Sequence, residues 1–171
     1  MPEQNNGSLD KEQEQNTPRI EDEIIKRFDG DIKENALEFI AYLNEHDMAP
    51  QQWFGPAIWK TPYGKYYFFG IFMNQPGKFR LYFYRGDYSG EFDEGFIKTV
   101  HNHVASCIDC GGECPKGMDM TIFGKEFPNT CFQFPIQFEN PAGETLEHIK
   151  ELIEYWKVIA PNNIDKLHVL G

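Results

Sequence analysis

Apolar residues recur at helical spacing in four stretches of this chain and alternate with polar ones in two others. Ile20, Ile24, Ile25 and Phe28 fall on one helical face, after Thr17-Pro18, an N-cap followed by proline at the first helical position. Asp29-Gly30 ends that helix. Asp31 with Glu34 then makes a capping-box pattern, and Ile32, Ala36, Phe39, Ile40 and Leu43 form the stripe of a second helix to about Asn44. Phe96, Ile97, Val100 and Val104 predict a short helix over about 93–104. Leu146, Ile149, Ile153 and Trp156 predict a last one, opened by Asn140-Pro141 and ended by Pro161.

Strand patterns lie between these helices. Tyr66 to Met73 is a run too aromatic and too short to prefer helix, which reads as a buried strand. After the turn Asn74-Gln75-Pro76-Gly77, Phe79, Leu81 and Phe83 alternate with Lys78, Arg80, Tyr82 and Tyr84. Period two with one polar face marks a half-exposed strand, and the two runs predict a β-hairpin. Met118 to Phe127 alternates weakly around Gly124, read as a bulge. Phe132, Phe134, Ile136 and Phe138 alternate with Gln133, Pro135, Gln137 and Glu139. That predicts a strand with its four apolar side chains in one core and Pro135 at an edge. Together these elements predict one α+β domain over 17–171, an antiparallel sheet of four or five strands covered by the helices near 31–44 and 141–160. Residues 1–16 carry almost no apolar side chains and read as a disordered acidic tail.

Charge narrows the partners. Acids outnumber bases by 27 to 16, for a net charge of −11, whereas a phosphate backbone is bound through clustered Lys and Arg. Nucleic acid and anionic membrane surfaces are therefore not expected partners. No apolar run is long enough to span a bilayer, and the first residues are polar rather than signal-like, so the expectation is a cytoplasmic protein. The acidic loop with Asp87, Glu91, Asp93 and Glu94 reads as solvated.

The chemistry is concentrated in the cysteines. Cys107, Cys110, Cys114 and Cys131 are the 4 cysteines of the chain, spaced C-x2-C-x3-C-x16-C. A Cys-x-x-Cys-Gly turn lets two thiolates face one ion, and four thiolates make a closed tetrahedral set, which is the form of a structural zinc site. Cys114-Pro115 is also the ending of an iron–sulfur run, although one cysteine of that run is missing. Cys-x-x-Cys alone would serve thiol redox chemistry. His101 and His103 are alternative metal ligands. On a helix they point about 200° apart, so only one at a time could face a metal. A second candidate is the polar face of the hairpin. Lys78, Arg80, Tyr82 and Tyr84 would line one side and could hold an anionic or aromatic small ligand through stacking, hydroxyls and charge. Nucleophile elbows, zincin helices and phosphate loops are absent from the sequence.

The run Cys107-x-x-Cys110-Gly111-Gly112-x-Cys114-x-x-Gly117, then Thr121-Ile122-Phe123-Gly124-Lys125-Glu126-Phe127-x-Asn129-x-Cys131, then Phe138-x-Asn140-Pro141, resembles an uncharacterised bacterial domain family. The matching motifs cover only residues 107 to 141. The resemblance implies an α+β fold and a cysteine site, and no reaction. The functional expectation is a zinc-stabilised module that binds a small molecule or a protein. The competing one is a thiol-redox or metal-dependent enzyme using the Cys107–Cys131 cluster.

Overall fold

A computed structural model of the chain describes residues 18–86, 88–108 and 116–159. The expected tail, Asp87, Cys110 and Cys114 lie outside them. The described residues form helices α1 (Ile20–Arg27), α2 (Gly30–Glu45), α3 (Glu94–Asn102) and α4 (Glu144–Ile159), with strands β1 (Gln51–Phe54), β2 (Ile58–Tyr63), β3 (Tyr66–Gln75), β4 (Lys78–Phe83), β5 (Met118–Ile122), β6 (Lys125–Thr130) and β7 (Ile136–Glu139). Five strands make one antiparallel sheet in the order β1-β2-β3-β4-β7, and β5-β6 form a separate hairpin. This is the expected α+β architecture. No helix among the described residues is long and apolar enough to cross a membrane.

Helices α1, α2 and α4 pack on one face of the sheet. Phe28 at the end of α1 meets Phe79, Phe39 of α2 meets Phe69, and Trp156 of α4 meets Phe68 and Phe83. Phe79, Leu81 and Phe83 are buried, as period two requires. A bulge modifies the pattern on β3. Lys60 pairs with Gly70 and Pro62 with Tyr67, so Phe68 and Phe69 together oppose Thr61 alone. The extra residue lets both phenylalanines face the helices and sends Tyr67 to the other side.

Several local expectations change. Ile25 is 58% exposed, and the buried stripe of α1 is Ile20, Ile24 and Phe28. Asp93 is no solvated loop acid: its carboxylate caps α3 by accepting from the Phe96 amide at 2.9 Å. Gly124 is no bulge but half of a two-residue turn, in which Phe123 (φ 44°) and Gly124 (φ 77°) join β5 to β6. Phe123 tolerates the left-handed backbone because its ring is buried against Tyr88, Phe92 and Phe96. Asn140 does not cap α4, which begins at Glu144. It accepts from the Phe79 amide (2.8 Å) and donates to the Gly77 carbonyl (3.0 Å), clamping the end of β7 to the β3–β4 turn.

Residues 132–138 bring the largest correction. Only Ile136–Glu139 is strand. Ile136 and Phe138 enter the core, but Phe134 lies on the opposite face of the sheet, against Phe72, Tyr82 and Tyr84. The chain bends through residues 132–133 before Pro135, so alternation in the sequence no longer reports one face. Cys131 accordingly follows β6 rather than opening the β7 strand.

Candidate functional site

The cysteine corner is built where the chain leaving α3 runs back along the end of β6. Ser106 pairs with Thr130 in an antiparallel bridge. The Cys107 amide donates to the Asn129 carbonyl (2.7 Å) and the Cys131 amide to the Ala105 carbonyl (2.8 Å). Cys107 and Cys131 thus flank the Ser106–Thr130 pair diagonally, and strand alternation puts both on the same face of this ribbon. Both thiols are free and half-buried. Asn129, in the left-handed region (φ 51°), donates its side-chain amide to the Cys107 carbonyl. Gly117 closes on the pair: a Cβ there would stand 2.5 Å from Cys107 Cβ and 2.3 Å from Asn129 Oδ1. The lack of a side chain therefore lets the chain return against Cys107.

The two histidines are placed apart by hydrogen bonds of their own. His101 Nε2 donates to the Ile122 carbonyl (2.8 Å), its ring edge-on to Phe127. His103 Nδ1 donates to the Thr99 carbonyl (2.8 Å), its ring over Phe138. Among the described residues, no three His, Cys, Asp or Glu side chains gather closely enough to hold a metal ion. Two of the four expected thiolate ligands are outside that set.

The hairpin face is the other candidate. Lys78, Arg80, Tyr82 and Tyr84 lie on the side of the sheet away from the helices, as their alternation required. Lys78 is held by Glu139 at 2.9 Å. Arg80 donates to Asn74 Oδ1 at 2.6 Å and lies over the Tyr82 ring. Tyr82 stacks on Phe72, ring centroids 4.5 Å apart, and Phe134 leans on Phe72, Tyr82 and Tyr84. Tyr67, turned outward by the bulge, carries the Lys60 ammonium over its ring at 4.7 Å. Burial, with the Tyr67 phenol adding to it, pushes the Tyr84 hydroxyl up to about 12, so it stays a neutral donor. Gly70 lies at the centre, and its bare α-carbon makes room for the Phe72 ring, which comes within 2.7 Å of where a Cβ would be.

No family model, no curated protein and no solved structure matches this chain. Geometry alone carries the functional reading.

Chemically, the outer face is an aromatic floor bordered by cations. Arg80 and Lys60 lie over ring faces, where a flat anion gains both stacking and charge. Glu139, already taken by Lys78, is the carboxylate that faces it from β7. Tyr67, Phe72 and Phe134 are the members of this surface that the sequence reading did not assign to it. Phe72 falls in register opposite Arg80, which periodicity along β3 would have indicated but for the bulge.

Proposed function

We propose that the protein is a ligand-binding module in which the outer sheet face takes a small anionic aromatic molecule and a zinc ion fixes the neighbouring cysteine corner. The observation that supports the ligand class is the joined set of Phe72, Tyr82, Tyr84 and Phe134, with Arg80 over Tyr82 and Lys60 over Tyr67. A chain of net charge −11 places cations over aromatic rings here, which suits an anion and disfavours a cation. Tyr82 and Phe72 would stack the ligand's ring, and Arg80 would pair with its charge.

Zinc would be held by Cys107, Cys110, Cys114 and Cys131. Cys107 and Cys131 share one face, and Gly117 brings the far end of the intervening segment back to Cys107. Such an ion supplies folding energy rather than a reactive position, because four thiolates close its shell. The second reading is a thiol-redox enzyme, favoured by the same two free thiols on one face of the Ser106–Thr130 ribbon.

Screening aromatic carboxylates and sulfonates by tyrosine fluorescence tests the first part. Arg80→Ala and Tyr82→Ala should abolish binding while the fold persists, and hits that map elsewhere would refute the assignment. Metal analysis with thiol titration tests the second. One zinc per chain with no reactive thiol is expected. Absence of zinc together with a low-pKa thiol would favour the redox enzyme.

A further inference from the structure

The outer sheet face runs beyond the aromatic floor to the edge of the sheet. Cross-strand pairing sets Phe54 of β1 opposite Ile58 of β2, and Ile58 opposite Phe72 of β3. Phe72 in turn pairs with Arg80 of β4, and Arg80 with Glu139 of β7. Paired residues of antiparallel strands share a face, so these side chains form one row on the side away from the helices. Trp53 joins its far end. Neighbours in a regular strand point to opposite faces, yet the Trp53 and Phe54 rings lie 5.0 Å apart. The cause is the irregular pairing between Gln52 and Phe54, where Trp53 is the extra residue.

The two ends of this row differ in charge. At one end Arg80 donates to the neutral Asn74 side chain. Its Nε is buried without a hydrogen-bond partner, the one such side-chain atom among the described residues. That desolvation cost is already incurred on folding, and an anion pairing with the rest of the guanidinium offsets it. Glu139, next in the row, is held by Lys78 at 2.9 Å. The other end is neutral, since no residue between Asp47 and Lys60 is charged. It is also open to water: Phe54 is 63% and Trp53 40% exposed. An apolar ring pair left in this state gains free energy from an apolar group that covers it.

We infer, on the basis that the outer face is the anion site, that its ligand is elongated and amphipathic. An aryl anion at Arg80 and Tyr82 carries an uncharged apolar arm, which crosses Phe72 and Ile58 to end on Trp53 and Phe54. Three strand spacings separate the two ends, which sets the length of the molecule at roughly 14 Å. A charge at the tip of the arm would be desolvated against the two rings without a partner, so the arm is apolar throughout.

The test is a series of para-alkylbenzoates, from benzoate itself to para-octylbenzoate, titrated into the full chain by calorimetry. Affinity should rise about twofold per methylene, as one side of the arm is covered, and level off once the arm reaches Trp53. The long members should also shield Trp53 from iodide quenching, a signal that Trp59 and Trp156, 1% and 0% exposed, do not contribute to. Trp53→Ala and Phe54→Ala should each remove most of the gain with length. Val158→Ala, which trims a side chain 73% exposed on α4 at the opposite face, should leave that gain intact. Arg80→Ala should weaken every member of the series. Equal binding of benzoate and para-octylbenzoate, or a gain that survives both aromatic substitutions, would overturn the elongated ligand and leave the anion site standing. Failure of the whole series to bind would overturn the anion site, and the elongated ligand with it.

Discussion

The two faces of the five-stranded sheet are both aromatic, yet they are built for different ends. The inner face is closed: Phe69, Phe83 and Phe138 are 0–1% exposed and packed under α2 and α4. The outer face stacks Phe72, Tyr82 and Phe134 only half-buried, with Arg80 and Lys60 among them. Ring content alone therefore does not make a core. What separates the faces is whether another element removes the rings from water, and whether charged groups remain within reach of a ligand.

Truncation is the strongest way to break this comparison. Phe83→Ala removes a ring packed on Phe69, Phe138 and Trp156, and should cost about 3–5 kcal/mol of unfolding free energy. Phe134→Ala on the outer side should cost roughly 1–2 kcal/mol, because part of that ring is already in water. Equal losses in denaturant unfolding would show that the outer face is core as well.

Alkaline titration sharpens the comparison next. Burial raises Tyr84 on the outer face to about 12, and raises Tyr88, packed on Trp156, well above its ordinary value of 10. Both phenols bind their protons more tightly folded than unfolded. The folded state therefore holds more protons above pH 10, and stability falls as pH rises from there through about 12, with no effect at neutral pH. Tyrosinate absorbance should show Tyr84 ionising near pH 12, and Tyr84→Phe should remove that step. A melting temperature flat up to pH 12 would contradict the burial of both.

Smaller effects probe how far the outer face can give. Gly70→Ala pushes a Cβ against the far end of the Phe72 ring, which can swing outward, so the net change should stay within about 1 kcal/mol. A loss of several times that would mean the outer rings are locked as firmly as the inner ones. Least of all, Arg80→Ala gives up its bond to Asn74 and should shift stability by roughly 0.5–1 kcal/mol, while removing ligand binding. Loss of folding in this variant would make Arg80 a structural residue.

The candidate site was legible in part. Lys78, Arg80 and Tyr82 are adjacent on one face because β4 is regular and period two holds along it. Period two predicts Phe134 on the inner side, and gives no sign of Tyr67 or Phe72 on the outer one. Their positions depend on a bend before Pro135 and on two residues facing one at Thr61, and neither leaves a mark in local periodicity. The cysteine spacing located the corner. That Cys107 stands beside Cys131 depends on pairing of Ser106 with Thr130, a contact between distant parts of the chain.

By itself, the sequence determined the β3–β4 hairpin and the helices at 30–45 and 144–159, since each buries one regular stripe that repeats at its own period. Tertiary structure alone decided β1 and β2. All four residues of β1 are exposed, and β2 carries Pro62 next to the irregular pairing at Thr61, so neither shows an apolar rhythm. Tertiary structure also decided which rings are core and which are platform. The physical reason is common to both: a repeat reports a face only while register is unbroken, and register is set by the strands and helices a segment meets, not by its own residues.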